Sequence, residues 1–370
     1  MQKSRTKTGI YEIDRVLGGG FIPGEAILLT GEPGVGKSTL ILQSLQNIKT
    51  LYVSGEESAE QIKDRADRLG VNLRHILFST TLQVEGILEG LKTLKDIDVI
   101  VIDSIQTIYS KRLDSPQGTI SQLKEASSQL ISYIKQSKKT LLLIGHITKE
   151  GDIAGPKTLE HMVDCVLNFE GERVSNFRLL RSSKNRFGPT DEIGIFEMKE
   201  SGLCEVTNPL VFIENEQEQA PGKAIIGITE GKRPLFFEIQ TLASQTFFPI
   251  PRRVVKGIDY NKTLLLMAVV KKLLGIVIDK YDIYVNIVGG ISLKSTGSDL
   301  GFIASLISSI KNIPVTSSTI FVGEVGLLGE VRPIPFQNKI LYEAKRLGFK
   351  KIFSSENVKN IKSLRNILKI

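Results

Sequence analysis

Short apolar runs alternate with segments of helical periodicity over the first half of the chain. The runs of strand length are Ala26–Thr30, Leu51–Ser54, Ile76–Ser79, Val99–Asp103 and Leu141–His146. The segments that suit helices are Leu40–Leu45, Ser58–Leu69, Leu82–Leu94 and Ile120–Lys135. Strands that alternate with helices predict a parallel sheet covered by helices, which is the α/β class.

Three further apolar runs follow without long helical segments between them: Val163–Phe169, Phe177–Ser182 and Gly194–Met198. Parallel strands need a long crossover connection, usually a helix, whereas antiparallel strands do not. We therefore expect the sheet to continue here as antiparallel strands.

A polar, acidic stretch at residues 214–222 ends in Pro-Gly and predicts a surface loop near a domain boundary. Strand-like and helical segments resume beyond it, at Ala224–Thr229, Leu235–Gln240, Thr263–Leu274, Ile283–Ile287, Leu300–Ile310, Ile320–Gly323 and Ile340–Leu347. The pattern predicts a first domain over 1–205, a linker over 206–222 and a second α/β domain over 223–370. The 370 residues suffice for two domains that each bury a core.

The connection after the first predicted strand matches a phosphate-binding motif. Residues 31–39 read G-E-P-G-V-G-K-S-T, the pattern G-x-x-x-x-G-K-[S/T] between a strand and a helix. Glycines let the backbone approach a phosphate closely, and successive N–H groups form a nest for an anion. Lys37 is predicted to contact the β- and γ-phosphates, and the Ser38 hydroxyl to bind Mg²⁺. The predicted nucleotide-binding residues are Gly31, Glu32, Pro33, Gly34, Val35, Gly36, Lys37, Ser38 and Thr39.

Charged residues at the ends of neighbouring predicted strands are candidates for the same site. Asp103 ends the fourth run, where a carboxylate would hold Mg²⁺ or its water, although it could instead cap a helix. Glu56 and Glu57 follow the second run. Glu56 is the candidate that orients and deprotonates the attacking water, whereas Glu57 better suits the first turn of a helix. His146 ends the fifth run and either senses the γ-phosphate or satisfies a local hydrogen bond.

Lys184 and Arg186 lie in the sequence K-N-R-F-G at residues 184–188, which follows a predicted strand. Two cations around an apolar anchor could reach a phosphate on a neighbouring subunit and stabilise charge that develops in the transition state. A solvated basic turn is the alternative that this pattern alone leaves open.

Composition and charge narrow the class of protein. The chain has 48 Lys and Arg against 40 Asp and Glu, a net charge of +8, which fits a polyanionic partner without requiring one. No apolar stretch has the length of a membrane span, and no apolar signal segment follows the first residues, so we expect a cytoplasmic protein. The two cysteines, Cys165 and Cys204, are too few for a zinc site.

Several motifs, in this order along the chain, resemble those of the RadA/Sms family of bacterial RecA-like ATPases. They are T-G-I-Y-E-I-D-R-V-L-G-G-G at 8–20, the phosphate loop, Y-V-S-G-E-E-S at 52–58, V-I-D-S-I-Q-T at 101–107, G-H-I-T-K at 145–149 and A-G-P-K-T-L-E-H-M-V-D at 154–164. K-N-R-F-G is the most specific, because it resembles the signature that separates this family from RecA itself. The resemblance covers nearly the whole chain.

The resemblance implies a RecA-like P-loop ATPase of homologous recombination and DNA repair, with ATP and Mg²⁺ as cofactors. It implies a hexameric ring that encircles single-stranded or branched DNA and is stimulated by that DNA. The ring would drive branch migration like a helicase and would work beside a RecA-type recombinase. On this interpretation Lys37, Ser38, Asp103 and Glu56 form one subunit's catalytic site. Lys184 and Arg186 then act on the neighbour's nucleotide or couple it to DNA.

The C-terminal part resembles the proteolytic domain of Lon, at V-G-G (288–290), S-D-L-G (298–301) and G-E-V-G-L-L-G-E-V-R-P-I (323–334). A Lon-type protease needs a serine nucleophile activated by a lysine. The match puts Gly297 at the serine's place and Asn338 at the lysine's, with Ser298 and Lys339 one residue away. We expect a non-proteolytic scaffold domain. An ATP-dependent Lon-type protease and a nucleotide-switched scaffold ATPase are the alternatives.

The family usually opens with a four-cysteine zinc module, whereas this sequence starts at the ATPase core. We therefore expect no zinc here, and functions that depend on the module are in doubt. The candidate DNA contacts, each of which could instead be a solvated surface charge, are Lys111, Arg112, Lys149, Lys184, Arg186, Arg252 and Arg253. Because aromatic residues make up 6% of the chain and tryptophan is absent, we expect salt-sensitive binding to the DNA backbone rather than extensive base stacking.

Overall fold

A computed structural model describes residues 4–146, 156–171, 176–213, 220–293 and 295–367. The chain divides into two compact units, Met1–Val206 and Thr207–Ile370. Each unit has its own mixed sheet and its own hydrophobic core. The α/β class predicted from the sequence is confirmed.

The first unit is built on one sheet with helices on both faces. Its strands are β1 (Ala26–Gly31), β2 (Thr50–Ser54), β3 (Ile76–Ser79), β4 (Val99–Asp103), β5 (Thr140–His146), β6 (Cys165–Glu170), β7 (Phe177–Asn185), β8 (Ile193–Lys199) and β9 (Gly202–Glu205). Its helices are α1 (Tyr11–Leu17), α2 (Lys37–Ser44), α3 (Ala59–Leu69), α4 (Val84–Thr93), α5 (Ile120–Ser137) and α6 (Pro156–Leu159). The sheet order is β3-β2-β4-β5-β1-β6-β7-β8-β9.

Strand β1 lies in the middle of this sheet, parallel to β5 on one side and to β6 on the other. All six of its residues are buried. Ile27 and Leu29 pack into one core, which includes residues of α2 and α3. Ala26 and Leu28 pack into the core on the opposite face, which includes residues of α4 and α5. A strand buried on both faces explains why this run is continuously apolar rather than alternating.

The strands after β5 continue the sheet with antiparallel pairs, as expected. Strands β6, β7 and β8 pair antiparallel with one another, and β9 continues the pattern. The pairing of β6 with β1, on which the expectation was silent, is parallel. The connection over residues 147–164 is long enough for a crossover that returns the chain in the same direction.

The second unit has a six-stranded sheet in the order β12-β13-β11-β10-β14-β17, and a two-stranded ribbon of β15 and β16. Its strands are β10 (Lys223–Glu230), β11 (Arg233–Gln245), β12 (Arg253–Lys256), β13 (Tyr281–Ile287), β14 (Thr319–Val322), β15 (Glu324–Val325), β16 (Val331–Arg332) and β17 (Lys351–Ser354). Its helices are α7 (Tyr260–Leu274), α8 (Asp299–Lys311), α9 (Gln337–Arg346) and α10 (Leu364–Ile367). Helix α8 packs on β10, β11 and β14 and is buried over most of its length.

No helix in these described ranges is both long enough and apolar enough to cross a membrane.

Candidate nucleotide-binding and catalytic site

The phosphate loop connects the carboxyl end of β1 to α2, as the sequence predicts. Gly31 is packed so closely that a Cβ there would lie 2.4 Å from the carbonyl oxygen of Phe169. Gly36 has a φ of 106° and forms the N-cap of α2 without a side-chain hydrogen bond. The first N–H groups of α2 are therefore not capped by the side chain that precedes them, and such groups bind phosphate readily.

Lys37, the first residue of α2, is buried and folds back over the loop. Its Nζ donates to the carbonyl oxygens of Gly31, at 2.9 Å, and Glu32, at 3.0 Å. The same atom lies 3.1 Å from Nδ1 of His146. Burial lowers the pKa of Lys37 to about 8, although the charges of Asp103 and Glu56 oppose this shift. A buried ammonium held by neutral acceptors is suited to exchange them for a phosphate, which is a stronger acceptor.

Asp103 ends β4 and is buried. Its carboxylate accepts a hydrogen bond from the Tyr52 hydroxyl at 2.5 Å, and its carbonyl oxygen accepts one from the N–H of Gly55. The short 3₁₀ helix that follows begins after Ser104, so Asp103 is not its N-cap residue. Because its charge acts on Lys37, the carboxylate belongs to the same electrostatic site as the phosphate loop.

Glu56 and Glu57 have different environments. Glu56 Oε1 accepts a hydrogen bond from the Ser104 hydroxyl and lies 3.1 Å from Nε2 of His146. Glu57 pairs with Arg65 on α3. The two contacts of His146 therefore connect Lys37 to Glu56, and the residues in this chain of contacts come from the ends of β1, β2, β4 and β5.

Three polar residues of this site were not singled out from the sequence. Tyr52 and Ser104 hold the carboxylates of Asp103 and Glu56. Gln106 Nε2 donates to the carbonyl oxygen of His146 at 3.3 Å. The feature of the sequence that could have identified them is their position in the two motifs Y-V-S-G-E-E-S and V-I-D-S-I-Q-T.

Lys184 and Arg186 are tied to the segment that precedes β6, so they are not a freely solvated basic turn. Lys184 Nζ donates to the carbonyl oxygens of Glu160, at 2.7 Å, and Val163, at 2.8 Å. Arg186 pairs with the buried carboxylate of Asp164 at 3.0 Å, and its side chain is 53% exposed. Because about half of the Arg186 side chain is exposed, it can still reach a ligand or another chain.

These two cations lie where the parallel strands of the sheet begin, which we call its amino edge. The phosphate loop lies where they end, at the carboxyl edge. Asp164 accepts a hydrogen bond from the N–H of Ala26, where β1 begins. Cys165 pairs with Ile27 in β1 and with Asn185 in β7, so the end of β7 also lies at the amino edge. The phosphate loop follows the other end of β1, and a strand of this length spans about 20 Å.

Two predicted DNA contacts follow β4. The backbone N–H of Lys111 donates to Glu85, and its side chain is exposed. The Arg112 guanidinium lies 3.4 Å from Glu125, with its side chain 66% exposed. Lys149 lies outside the described residues.

The neighbouring arginines at 252 and 253 differ in exposure. The Arg252 guanidinium lies over the Phe248 ring at 4.3 Å. The Arg253 guanidinium donates to the carbonyl oxygens of Arg252, Tyr281 and Ile278, and burial lowers its pKa. Arg252 is thus the more accessible of the two to a phosphate.

The residues nearest a Lon-type dyad lie on separate elements. Gly297 and Ser298 belong to a short 3₁₀ turn before α8. Asn338 and Lys339 belong to α9, where the Lys339 ammonium lies 5.2 Å from the centre of the Phe336 ring. Within the described ranges, no hydrogen bond joins Ser298 to Lys339.

Comparisons with known proteins identify similar proteins over part or nearly all of the chain. The family model described as "ATPase: KaiC" matches residues 6–95. The chain is 45% identical over 361 residues to the DNA repair protein RadA of Listeria monocytogenes, covering 96% of this chain and 79% of that protein. It is 44% identical over 357 residues to the DNA repair protein RadA of Bacillus subtilis, covering 95% and 78%. The solved structure of the KaiC-like protein PH0186 from Pyrococcus horikoshii matches with 21% identity and a TM-score of 0.46, over 55% of this chain and 99% of that one.

Proposed function

Because the chain belongs to the RadA family of DNA repair proteins, which are RecA-like ATPases, we propose that it is an ATP-driven motor on single-stranded or branched DNA. In this proposal the protein works in the cytoplasm as a hexameric ring, beside a recombinase of the RecA type. DNA stimulates its ATP hydrolysis, and the ring drives branch migration like a helicase. The second unit serves as a non-proteolytic, Lon-like scaffold.

The residues of the first unit fit a nucleotide with Mg²⁺. The glycines of the loop leave room for phosphate oxygens, and the N-terminus of α2 offers free N–H groups. Lys37 would exchange its carbonyl acceptors for the β- and γ-phosphates. Ser38 and Asp103 would hold Mg²⁺, which neutralises the phosphate charge. Glu56 would orient the attacking water and accept its proton.

His146 gives the site a way to detect the nucleotide. While Lys37 contacts its own loop, His146 lies between Lys37 and Glu56. When Lys37 turns to the phosphates, His146 loses that neighbour, and its hydrogen bond to Glu56 can set the carboxylate for the water. This is a positioning role, because His146 acts through Glu56.

The observation that carries the ring proposal is the position of Lys184 and Arg186. They contact the segment that precedes β6, at the amino edge of the sheet, whereas the phosphate loop follows the other end of β1, a strand that spans about 20 Å. A head-to-tail arrangement of subunits brings different edges together and closes into a ring when the rotation fits. Lys184 and Arg186 would then act on the neighbour's nucleotide or couple it to DNA. The further DNA contacts proposed are Lys111, Arg112, Lys149, Arg252 and Arg253.

The test is ATP hydrolysis with and without single-stranded DNA, at low and moderate salt. We expect DNA to raise the rate and added salt to weaken the effect, because phosphate contacts release counterions. Lys37→Ala should abolish hydrolysis in both conditions. Hydrolysis that survives in Lys37→Ala would refute the site, and a rate indifferent to DNA would favour the nucleotide-switched scaffold. Release of peptides from casein that Ser298→Ala abolishes would favour the protease.

A further inference from the structure

The second unit contains a cavity that the ATPase chemistry does not use. It has a volume of about 400 Å³ and lies against the first turn of α7, the segment around Ser295 and the start of α8. Leu266 and Phe302 line its apolar side. Ile258 and Leu293 add to the apolar lining, and polar and charged side chains line the rest, so the cavity has an apolar part and a hydrophilic part within one space.

An ion cluster forms part of the hydrophilic wall. Lys262 Nζ lies 2.8 Å from Asp299 Oδ2 and 3.1 Å from Glu324 Oε1. The Thr296 hydroxyl donates to the other oxygen of Glu324. One ammonium thus serves two carboxylates, of which Asp299 lines the cavity, and the exposed Asp259 lines it as well. Among the described side chains of this wall and of the cluster behind it, three carboxylates face one ammonium, which is a shortage of positive charge.

The state of Asp299 agrees with this shortage. Burial raises the pKa of Asp299 to about 6, even though Lys262 and the N–H of Val325 both donate to it. A carboxylate that stays hard to ionise beside one cation gains from a second cation.

Ser298 provides an independent sign of a ligand. Its side chain lines the cavity, and the residue is 4% exposed. Within the described part of the chain, its hydroxyl makes no hydrogen bond, and it does not cap α8 with its side chain. Because this hydroxyl lines the cavity, a bound molecule could supply the hydrogen-bond partner that it lacks among the described residues.

We propose that this cavity binds an alkylammonium or alkylguanidinium group. The aliphatic stem would pack on Leu266 and Phe302, and the cationic head would contact the Asp299 carboxylate and the Ser298 hydroxyl. Among the residues placed in the structure, no group of three or more His, Cys, Asp and Glu side chains is arranged to hold a metal ion, which favours an organic cation. The group is the end of a lysine or arginine side chain from a partner protein, or of a free polyamine.

The test is calorimetric titration of the full chain with n-butylguanidinium, with n-butanol and n-butyrate as uncharged and anionic controls. We expect only the cation to bind. Ser298→Ala and Asp299→Asn should each weaken binding about tenfold, since each removes one contact with the cationic head. Asp279→Asn is the matched control, because Asp279 is an exposed acid of the same unit that pairs with Lys271.

Thermal melting of each variant shows whether it is folded. Equal binding of n-butyrate, no binding of the guanidinium, or unchanged binding in both cavity variants would overturn the proposal. N-acetylarginine methylamide and spermidine distinguish the sources, since the tighter binder identifies a partner's side chain or a polyamine. The result is independent of the proposed function, because Lys37→Ala should bind n-butylguanidinium as the unchanged chain does.

Discussion

His146 has contacts on both ring nitrogens, one toward the phosphate loop and one toward the proposed catalytic carboxylate. The distances, 3.1 Å to Lys37 and 3.1 Å to Glu56, are those of hydrogen bonds. Gln106 holds the backbone of the same residue through its carbonyl oxygen. An imidazole in this position can transmit the movement of Lys37 to Glu56 without touching the reacting atoms.

Replacing His146 by alanine should therefore separate binding from turnover. We expect kcat to fall about 10- to 100-fold, the effect of losing one hydrogen bond to a charged group, while ATP affinity changes little. Steady-state kinetics and a fluorescent nucleotide titration measure the two quantities. His75→Ala is the control, because His75 is exposed. Equal losses of affinity and kcat would instead assign His146 to direct phosphate contact.

At the scale of elements, the start of α2 depends on a backbone conformation that only glycine adopts without strain. Gly36 has a positive φ, and a Cβ there would lie 2.9 Å from the Met198 side chain. A methyl group would strain the N-cap, and the flexible end of the Met198 side chain would have to shift. The phosphate loop therefore depends on strands β8 and β9 of the same sheet as well as on its own residues, since Met198 and Leu203 pack around Gly36.

Gly36→Ala should lower the stability of the first unit by about 1–3 kcal/mol and weaken ATP binding. The control is Gly90→Ala, because Gly90 lies inside α4, is exposed and has open space around the Cβ position. There alanine should raise stability by about 0.5–1 kcal/mol through its better helix propensity. Denaturant unfolding of both variants measures the difference, and equal effects would contradict the strain at Gly36.

The crossover into β6 has a consequence for the candidate site. Because β6 is parallel to β1, Asp164 lies beside Ala26 at the amino edge, and it brings Arg186 to that edge. Had β6 been antiparallel to β1, its start would have faced the phosphate loop.

For the whole molecule, the two edges of the first sheet carry different parts of the proposed catalytic apparatus. The carboxyl edge has Lys37 and Glu56, and the amino edge has Lys184 and Arg186. If both edges contribute to one site, as we propose, chains must associate to bring them together. The proposed ring is thus expected to be a condition of fast hydrolysis.

Mixing two inactive variants tests this expectation. Lys37→Ala keeps the amino edge intact, and Arg186→Ala keeps the phosphate loop intact. If the cations act on a neighbouring subunit, a 1:1 mixture should recover part of the wild-type ATPase rate, because some neighbouring pairs combine two intact edges. In the control mixture, Arg346→Ala takes the place of Arg186→Ala, because Arg346 is an exposed arginine of the second unit that pairs with Glu343. A mixture no more active than its separate components would show that Arg186 acts within its own subunit or only on stability.

The strands that carry the phosphate chemistry could be located from the sequence because their signals are local. The apolar runs near Ala26 and Val99 are buried strands, and the glycine loop joins a strand to a helix, as the pattern required. The different environments of Glu56 and Glu57 could be predicted only in part from the sequence. Both follow the same strand, and the difference between them is set by Ser104 and Arg65, which come from elsewhere in the chain.

The sequence by itself determined the α/β class, the nucleotide loop over residues 31–39 and, through its ordered motifs, the family. These follow from apolar periodicity and from backbone requirements that act over a few residues. Only the tertiary structure decided that β6 is parallel to β1, that His146 lies between Lys37 and Glu56, and that Arg186 lies at the opposite edge. Strand direction and side-chain neighbours depend on how distant segments pack, and no local pattern encodes that packing.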